Sequence, residues 1–290
     1  MSNGMKAKLT FLGTGTSQGI PMIGCGCDVC KSADERDRRL RSSVLMEYGG
    51  LTILIDAGPD FRQQLIRAGV THLDAVLLTH NHKDHTGGLD DLRAFNLIEH
   101  RPVNIYCEQY VEDALRRDYA YAFAEPKYPG APEWRVHNIT NEPFTLHSNI
   151  SEDTLVWETG RGYRVEPGTH EIINPVEVIP IRGWHHKEKD LSVLGYRFGD
   201  IAYLTDMNLI EDEEIEKLKS VKYVTLNCVK RGPHYSHFSL SEVLDFFKKV
   251  GAEESFITHI SHLLPRYELM EEELPEGVHY AYDGLVLEAD

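Results

Sequence analysis

Three histidines and an aspartate fall within six positions of the run Thr79-His80-Asn81-His82-Lys83-Asp84-His85-Thr86-Gly87-Gly88. Imidazoles and carboxylates crowded this closely repel on protonation and stabilise nothing unless they share a metal ion. In extended backbone His80 and His82 project to one side, and Asp84 and His85 follow after the chain has turned. The run therefore presents two ligand pairs aimed at adjacent points, most of a two-metal site. A second cluster, Cys25, Cys27 and Cys30 in C-x-C-x2-C spacing, supplies three soft thiolates that want a fourth ligand. An odd number of clustered thiols is no disulfide framework. Cys107 and Cys228 stand apart in apolar segments and read as buried small hydrophobes.

The elements around these residues are those that would position them. The apolar run Leu73 to Leu78 predicts a buried strand that delivers the histidine run to a sheet edge. Gly87-Gly88 then permits a close bend before a helix over Leu89 to Glu99. Upstream, Lys8 to Leu12 is a strand, and the glycine-rich loop from Gly13 to Pro21 reads equally as a phosphate cradle or a tight connection. The charged segment Lys31 to Arg41 reads as a solvated loop. Ser43 to Tyr48 and Leu51 to Ile55 make a hairpin ending in Asp56, whose carboxylate would need a partner such as a metal-bound histidine. A helix over Asp60 to Ala68 stops at Gly69.

Beyond the histidine run, Val103 to Cys107 reads as a strand and Glu108 to Tyr119 as a helix. From about 120 to 168 aromatics alternate with prolines, the pattern of an excursion, either a lid over the site, a dimer contact or a plain surface insertion. Strands then resume at Val176 to Ile181, Leu194 to Phe198 and Ile201 to Leu204, followed by a helix over Asp212 to Lys219 and a strand over Tyr223 to Asn227. A helix over Ser239 to Val250 and a strand over Ser255 to Thr258 come next. Three of these strands run into His185 and His186, Asp206, and His259. A helix over Tyr267 to Glu273 and a hairpin through Tyr282-Asp283-Gly284 close the chain. With no linker or solenoid repeat, the expectation is one domain over 1–290, built from two stacked sheets with helices outside and the site along one sheet edge.

Composition narrows the function. A formal net charge of −16 over 290 residues disfavours long nucleic acids, whose binding rests on Lys and Arg meeting phosphates. A small phosphorylated substrate drawn in by a local metal charge remains compatible. No run approaches a membrane span, and the start MSNGMKAKLT has no signal-peptide core, so a cytoplasmic protein with no membrane association is expected.

The H-x-H-x-D-H motif formed by His80, His82, Asp84 and His85 resembles that of the metallo-β-lactamase fold hydrolases. Leu54-Ile55-Asp56-Ala57-Gly58, His185, Thr205-Asp206 and His259 follow in the order of that superfamily, across nearly the whole chain. The G-T-G-T-S-x-G-x-P opening, the C-x-C-x2-C cluster and Thr258-His259-Ile260-Ser261-His262 resemble its PhnP-like phosphodiesterase branch, which acts on phosphoribosyl cyclic phosphates.

The resemblance implies a four-layer αββα sandwich of α/β class. It implies that His80, His82 and His185 bind one divalent metal, Asp84, His85 and His259 another, with Asp206 bridging, and with His186 an alternative to His185. His262 would complete a structural zinc with Cys25, Cys27 and Cys30. Catalytic roles fall to Asp84 and to His237, matched to a histidine that meets substrate phosphate and donates a proton; His234 is its weaker neighbour. The active metals would be zinc or manganese, with iron admissible. The implied reaction is hydrolysis of a small cyclic or nucleotide-like phosphodiester by a hydroxide shared between the metals; a homodimer is compatible with the sequence. Rival readings on the same ligands are ribonuclease Z-like RNA processing, thioester or lactone hydrolysis, and iron redox chemistry.

Overall fold

The computed structural model describes residues 5–290. The first half runs β1 (Ala7–Gly13), β2 (Ser43–Tyr48), β3 (Leu51–Ile55), α1 (Phe61–Ala68), β4 (Ala75–Leu77), the single turn α2 (Lys83–Thr86), α3 (Arg93–Glu99), β5 (Val103–Cys107), α4 (Gln109–Asp118), β6 (Trp134–Asn138) and β7 (Phe144–Leu146). A separate hairpin follows, β8 (Thr154–Glu158) and β9 (Gly162–Glu166). The second half runs β10 (Val176–Trp184), β11 (Ser192–Phe198), β12 (Ile201–Tyr203), β13 (Leu209–Ile210), α5 (Asp212–Glu216), β14 (Tyr223–Asn227), α6 (Leu240–Val250), β15 (Glu254–Thr258), α7 (Tyr267–Glu273), β16 (Val278–Tyr280) and β17 (Val286–Ala289).

The strands form two large sheets, β17-β1-β2-β3-β4-β5-β6 and β13-β10-β11-β12-β14-β15-β16, with β7 added beside β10 in the second. Alternation along each strand sorts side chains onto two faces. Leu9, Phe11, Met46, Ile53 and Leu77 of the first sheet meet Leu194, Tyr196, Phe198, Tyr203 and Phe256 of the second between the sheets. Leu12, Leu45, Leu54, Val76 and Leu78 face outward under Phe61, Leu65, Phe95 and Leu115 of α1, α3 and α4. Ile181, Leu204, Val224 and Ile257 do the same under Val243, Phe246 and Phe247 of α6. The result is the four-layer αββα sandwich, in which each fully buried Leu or Phe contributes about 1.5–3 kcal/mol of transfer free energy.

Within the sheets the central strands are parallel: β3, β4 and β5 in one, and β12, β14 and β15 in the other. Their C-terminal ends share one edge of the sandwich, where the histidine run begins. Helix α6 is bounded as its sequence predicts: Ser239 and Glu242 form a capping box, and Gly251 closes it at φ 70.

Several expectations need correction. The predicted helix over Leu89 to Glu99 opens as a 3-10 turn, Leu89–Leu92, before α3. The glycine-rich loop, by contrast, fits one of its two readings, a tight connection, bridged by Gly15 to Arg41 and by Ile20 to Arg39. The Lys31 to Arg41 segment is not wholly solvated: Arg39 is buried against the Tyr280 ring and donates to Thr14 Oγ1 and the Ala281 carbonyl. Tyr282-Asp283-Gly284 makes no hairpin, because β16 pairs with β15 and β17 with β1, so the turn carries the chain from one sheet to the other. Asp283 anchors that crossing by accepting from the Thr14 and Leu40 N–H groups.

The 120–168 segment is partly sheet, since it contributes β6 and, just before, the 3-10 turn Ala120–Ala122. Its β8–β9 hairpin sits away from the histidine run. Asn149, just before it, donates to Asp74 Oδ1 and the Leu73 carbonyl, and Leu155 N–H donates to the His100 carbonyl. Leu73 and Asp74 precede β4, whereas the histidine run leaves its other end. The hairpin is therefore no lid over its own chain's site.

Candidate metal centre

Five strand ends converge at the edge. β3 delivers Asp56, β4 delivers Thr79 to His85, β10 delivers His185, β12 delivers Thr205 and Asp206, and β15 delivers His259. Asp56, Asp206 and His259 each adopt left-handed backbone, at φ 64, 59 and 52. Such conformations cost about 1–3 kcal/mol and persist where surrounding structure imposes them. Here each one turns a side chain off the end of its strand into the same small volume.

Glycines let the segments approach. A Cβ on Gly58 would lie 2.0 Å from the Asp84 carbonyl oxygen, and one on Gly183 would lie 2.3 Å from Met207 Sδ. The first contact seats α2 against the turn after β3. The second lets the end of β10 close on the Asp206 turn.

Asp56, wholly buried, accepts from Thr79 N–H at 2.9 Å, from Thr79 Oγ1 at 2.8 Å and from His85 Nδ1 at 2.7 Å. Because the Thr79 hydroxyl donates to Asp56, it accepts from His80 Nδ1, 2.9 Å away, and the free lone pair of His80 lies on Nε2. His185 Nδ1 donates to the Asp206 carbonyl at 2.7 Å, which likewise frees its Nε2. Asp206 accepts from Thr205 Oγ1 at 2.6 Å, and its Oδ2 stands 3.2 Å from His85 Nε2 and 3.0 Å from His259 Nδ1. That same His259 nitrogen is 3.1 Å from Ser42 Oγ.

Donor atoms of His80, His185 and Asp206 lie within 4.8 Å of one another, and so do those of Asp84, His85, Asp206 and His259. Asp206 belongs to both sets, as a bridging carboxylate would. His82 stands beside the first set rather than within it, its ring 4.5 Å from His80 and 4.8 Å from His185. His186 is turned away: its Nδ1 pairs with Asp190 at 2.7 Å and its ring leans on Tyr235. His237 is buried, 4.9 Å ring to ring from both His185 and His259, with Nδ1 4.0 Å from Asp206 Oδ1. His234 lies 5.1 Å behind it.

The electrostatics match a cation site. Burial holds His80 and His237 well below the ordinary imidazole range. Burial would also lower His85, but the Asp206, Asp84 and Asp56 carboxylates around it prevail and push it well above that range. Asp206, which burial would raise, is held low by His259 and His85. His80 Nε2 and His85 Nε2 are buried without an aligned hydrogen-bond partner, although His85 Nε2 has two carboxylates within 3.3 Å. An unsatisfied buried nitrogen costs about 1–3 kcal/mol. A divalent cation would accept the His80 lone pair, and another would replace the His85 Nε2 proton between its carboxylates and neutralise them, so the donor set fits two of them.

The thiol cluster assembles separately. Cys25 Sγ and Cys27 Sγ stand 3.3 and 3.5 Å from His262 Nδ1, and Cys27 and Cys30 sulfurs accept from the Cys30 and Met22 N–H groups. All four donors lie within 4.8 Å of one another. The Cys30 N–H and His262 bring the Cys27 thiol down to about 6, whereas burial lifts Cys30 to about 11. Cys107 and Cys228 are buried, as their apolar surroundings predict.

Residues 52–260 match the family described as the beta-lactamase superfamily domain. The chain belongs to that superfamily. A solved structure described as a new diphosphatase from the PhnP family is 35% identical, with a TM-score of 0.80, and the match covers 98% of each chain. The resemblance to the PhnP-like branch therefore holds over the fold. An octanoyltransferase from Porphyromonas gingivalis is 40% identical over 95% of this chain, and the chain spans about half the length of that relative. A ribonuclease Z from Staphylococcus epidermidis is 23% identical over 88% of this chain and 89% of its own. Among the described residues no helix is long and apolar enough to cross a membrane.

Sequence reasoning found Asp56, which holds His85, but missed the other residues that hold the clustered side chains. Thr79 carried a signal, since it adjoins the motif. Ser42 carried none, because it meets His259 across 217 positions. Thr205 and Asn208, either side of Asp206, were readable only as strand-end polar residues.

Proposed function

We propose that this chain is a hydrolase that cleaves a small cyclic or nucleotide-like phosphodiester on two divalent metal ions, zinc or manganese being the ions suited to this donor set. His80, His82 and His185 would hold one, Asp84, His85 and His259 the other, and Asp206 both. The observation that carries the reading is the membership of Asp206 in both donor sets, with His237 facing it. The similarity to a PhnP-family diphosphatase supports phosphorus chemistry at this centre. Bound there, the ions would supply Lewis acidity toward phosphoryl oxygens and a water acidified to near neutrality.

The chain's own groups do the rest. Thr79 and Asp56 fix the tautomers of His80 and His85, so the Nε2 lone pairs point inward. His237 Nδ1, which has no hydrogen-bond partner, would hand a proton to the leaving-group oxygen. Incoming phosphoryl charge would raise the basicity of that imidazole from its buried, lowered value. Cys25, Cys27, Cys30 and His262 would hold a structural zinc, a closed tetrahedral set with no position left for substrate.

Asp206→Ala tests the reading: hydrolysis of bis(p-nitrophenyl) phosphate should be abolished, and retained activity would overturn it. A second reading, acyl transfer or thioester hydrolysis on the same centre, draws on the octanoyltransferase relative. Faster turnover of an octanoyl thioester than of phosphodiesters would put it first. The net charge of −16 counts against a tRNA precursor as substrate.

A further inference from the structure

His237 presents a positional problem. Its Nδ1 has no hydrogen-bond partner, and its ring is flanked by His185, His234 and His259. Whatever aims it at Asp206 must act through its backbone. Its segment, His234 to His237, precedes α6 and belongs to no strand or helix.

Asn208 supplies the missing restraint. Its side chain is 1% exposed, and its Nδ2 donates to three carbonyls of that segment: His234 at 2.9 Å, Tyr235 at 2.9 Å and His237 at 3.1 Å. Three acceptors around one nitrogen fix the amide orientation, since the flipped oxygen would face three oxygens. The same residue is tied to the rest of the centre. It follows Asp206 by two positions, and its N–H donates to the carbonyl of Trp184, which precedes His185, at 2.8 Å. Between them Met207 is clamped by Asn227, which accepts from its N–H at 2.8 Å and donates to its carbonyl at 2.9 Å. Met207 O also accepts from Phe238 N–H at 3.2 Å, one residue past His237.

We propose that Asn208 is the positioning residue that sets His237 against the Asp206 centre, so that the bridging carboxylate and the proton-donating imidazole move as one unit. The inference rests on the role given to His237 above. It makes Asn208 necessary for leaving-group protonation and phosphate binding, and leaves metal retention to the ligands themselves.

A double-mutant cycle on the metal-loaded full chain tests this, using Asn208→Ala, His237→Gln and their combination. The readouts are kcat on bis(p-nitrophenyl) phosphate, Kd for inorganic phosphate by calorimetry, and metal content. Asn208→Ala should lower kcat by about 100-fold, the loss typical of a misplacement on the order of 1 Å, and weaken phosphate binding with both metals retained. In the His237→Gln background it should cost nothing further in either quantity. Asn208→Asp, which keeps the volume and removes the donors, should behave like Asn208→Ala, and it serves in its place where the truncation fails to fold. Losses that multiply in the double variant, or an Asn208→Asp protein with full activity, would overturn the assignment, as would loss of metal parallel to loss of kcat. If His237→Gln leaves kcat unchanged, the proton-donor role falls instead, and the cycle is read on phosphate Kd, where additive effects overturn the positioning role.

Discussion

Asp56 Oδ2 stands 2.7 Å from His85 Nδ1, and both side chains are wholly buried. Asp56 comes from the end of β3 and His85 from α2, so this one contact ties the histidine run to the neighbouring strand. The pair orients His85, so on the proposed two-metal reading Asp56 would tune metal affinity through that imidazole. Asp56→Asn, which replaces an acceptor with an amide facing an N–H, is expected to weaken metal binding by about 10–100-fold. Chelator competition followed by metal analysis checks it, and an unchanged affinity would show that His85 is held by packing alone.

Gly58 faces the same segment from the other side. Its hydrogen lies where a Cβ would sit 2.0 Å from the Asp84 carbonyl oxygen, backbone that cannot yield without moving α2. Gly58→Ala should therefore cost about 1–3 kcal/mol, as overpacking does, and displace Asp84 and His85 together. Thermal unfolding and metal content should fall in step; a variant with normal stability and normal loading would mean that α2 shifts freely.

The contrast between these two positions explains what was readable beforehand. The ligand run, the strand ends and the thiol spacing were legible because each is a local pattern in which a few adjacent residue types limit the chemistry. Asp56 was legible as a buried carboxylate that needed a partner. Ser42 beside His259, the Arg39 guanidinium under Tyr280, and the crossing of Tyr282 to Gly284 between sheets were not legible. Their meaning lies in contacts more than 200 residues apart in sequence. A charged residue such as Arg39 looks solvated until the partners that satisfy it are known. The place of the β8–β9 hairpin stayed open for a related reason: its composition marks an ordered excursion, but only Asn149 and its contacts with Leu73 and Asp74 say at which end of the sheet it lies.

The thiol cluster yields a prediction of a different kind. Cys25, Cys27 and Cys30 come from one loop, and His262 follows His259 by three positions. Ile260, between the two histidines, is stitched to that loop, donating to the Thr14 carbonyl and accepting from Thr16 N–H. Cys27→Ser should release one zinc per chain and lower the unfolding temperature, because metal binding free energy is folding free energy at such a site. The remaining metal content should stay near two. Unchanged zinc stoichiometry in the purified variant would remove the structural site from the account.

His72 offers a test of electrostatics remote from the metals. Its Nε2 is 3.1 Å from Asp74 Oδ1 and its Nδ1 3.0 Å from Glu99 Oε2, and these two partners, against partial burial, raise it to about 10 from an ordinary 6.5. A folded-state value above the unfolded one means that the bound proton stabilises the fold. That contribution is complete below pH 6.5 and fades as pH climbs toward 10. His72 is nearly half exposed, so solvent screening keeps the effect modest. His72→Gln should consequently unfold at a lower temperature than the parent near neutrality, and the two melting curves should converge as the pH is raised through that window. A gap that is constant with pH, or that widens toward alkaline pH, would mean that His72 acts by shape and hydrogen bonding rather than by charge.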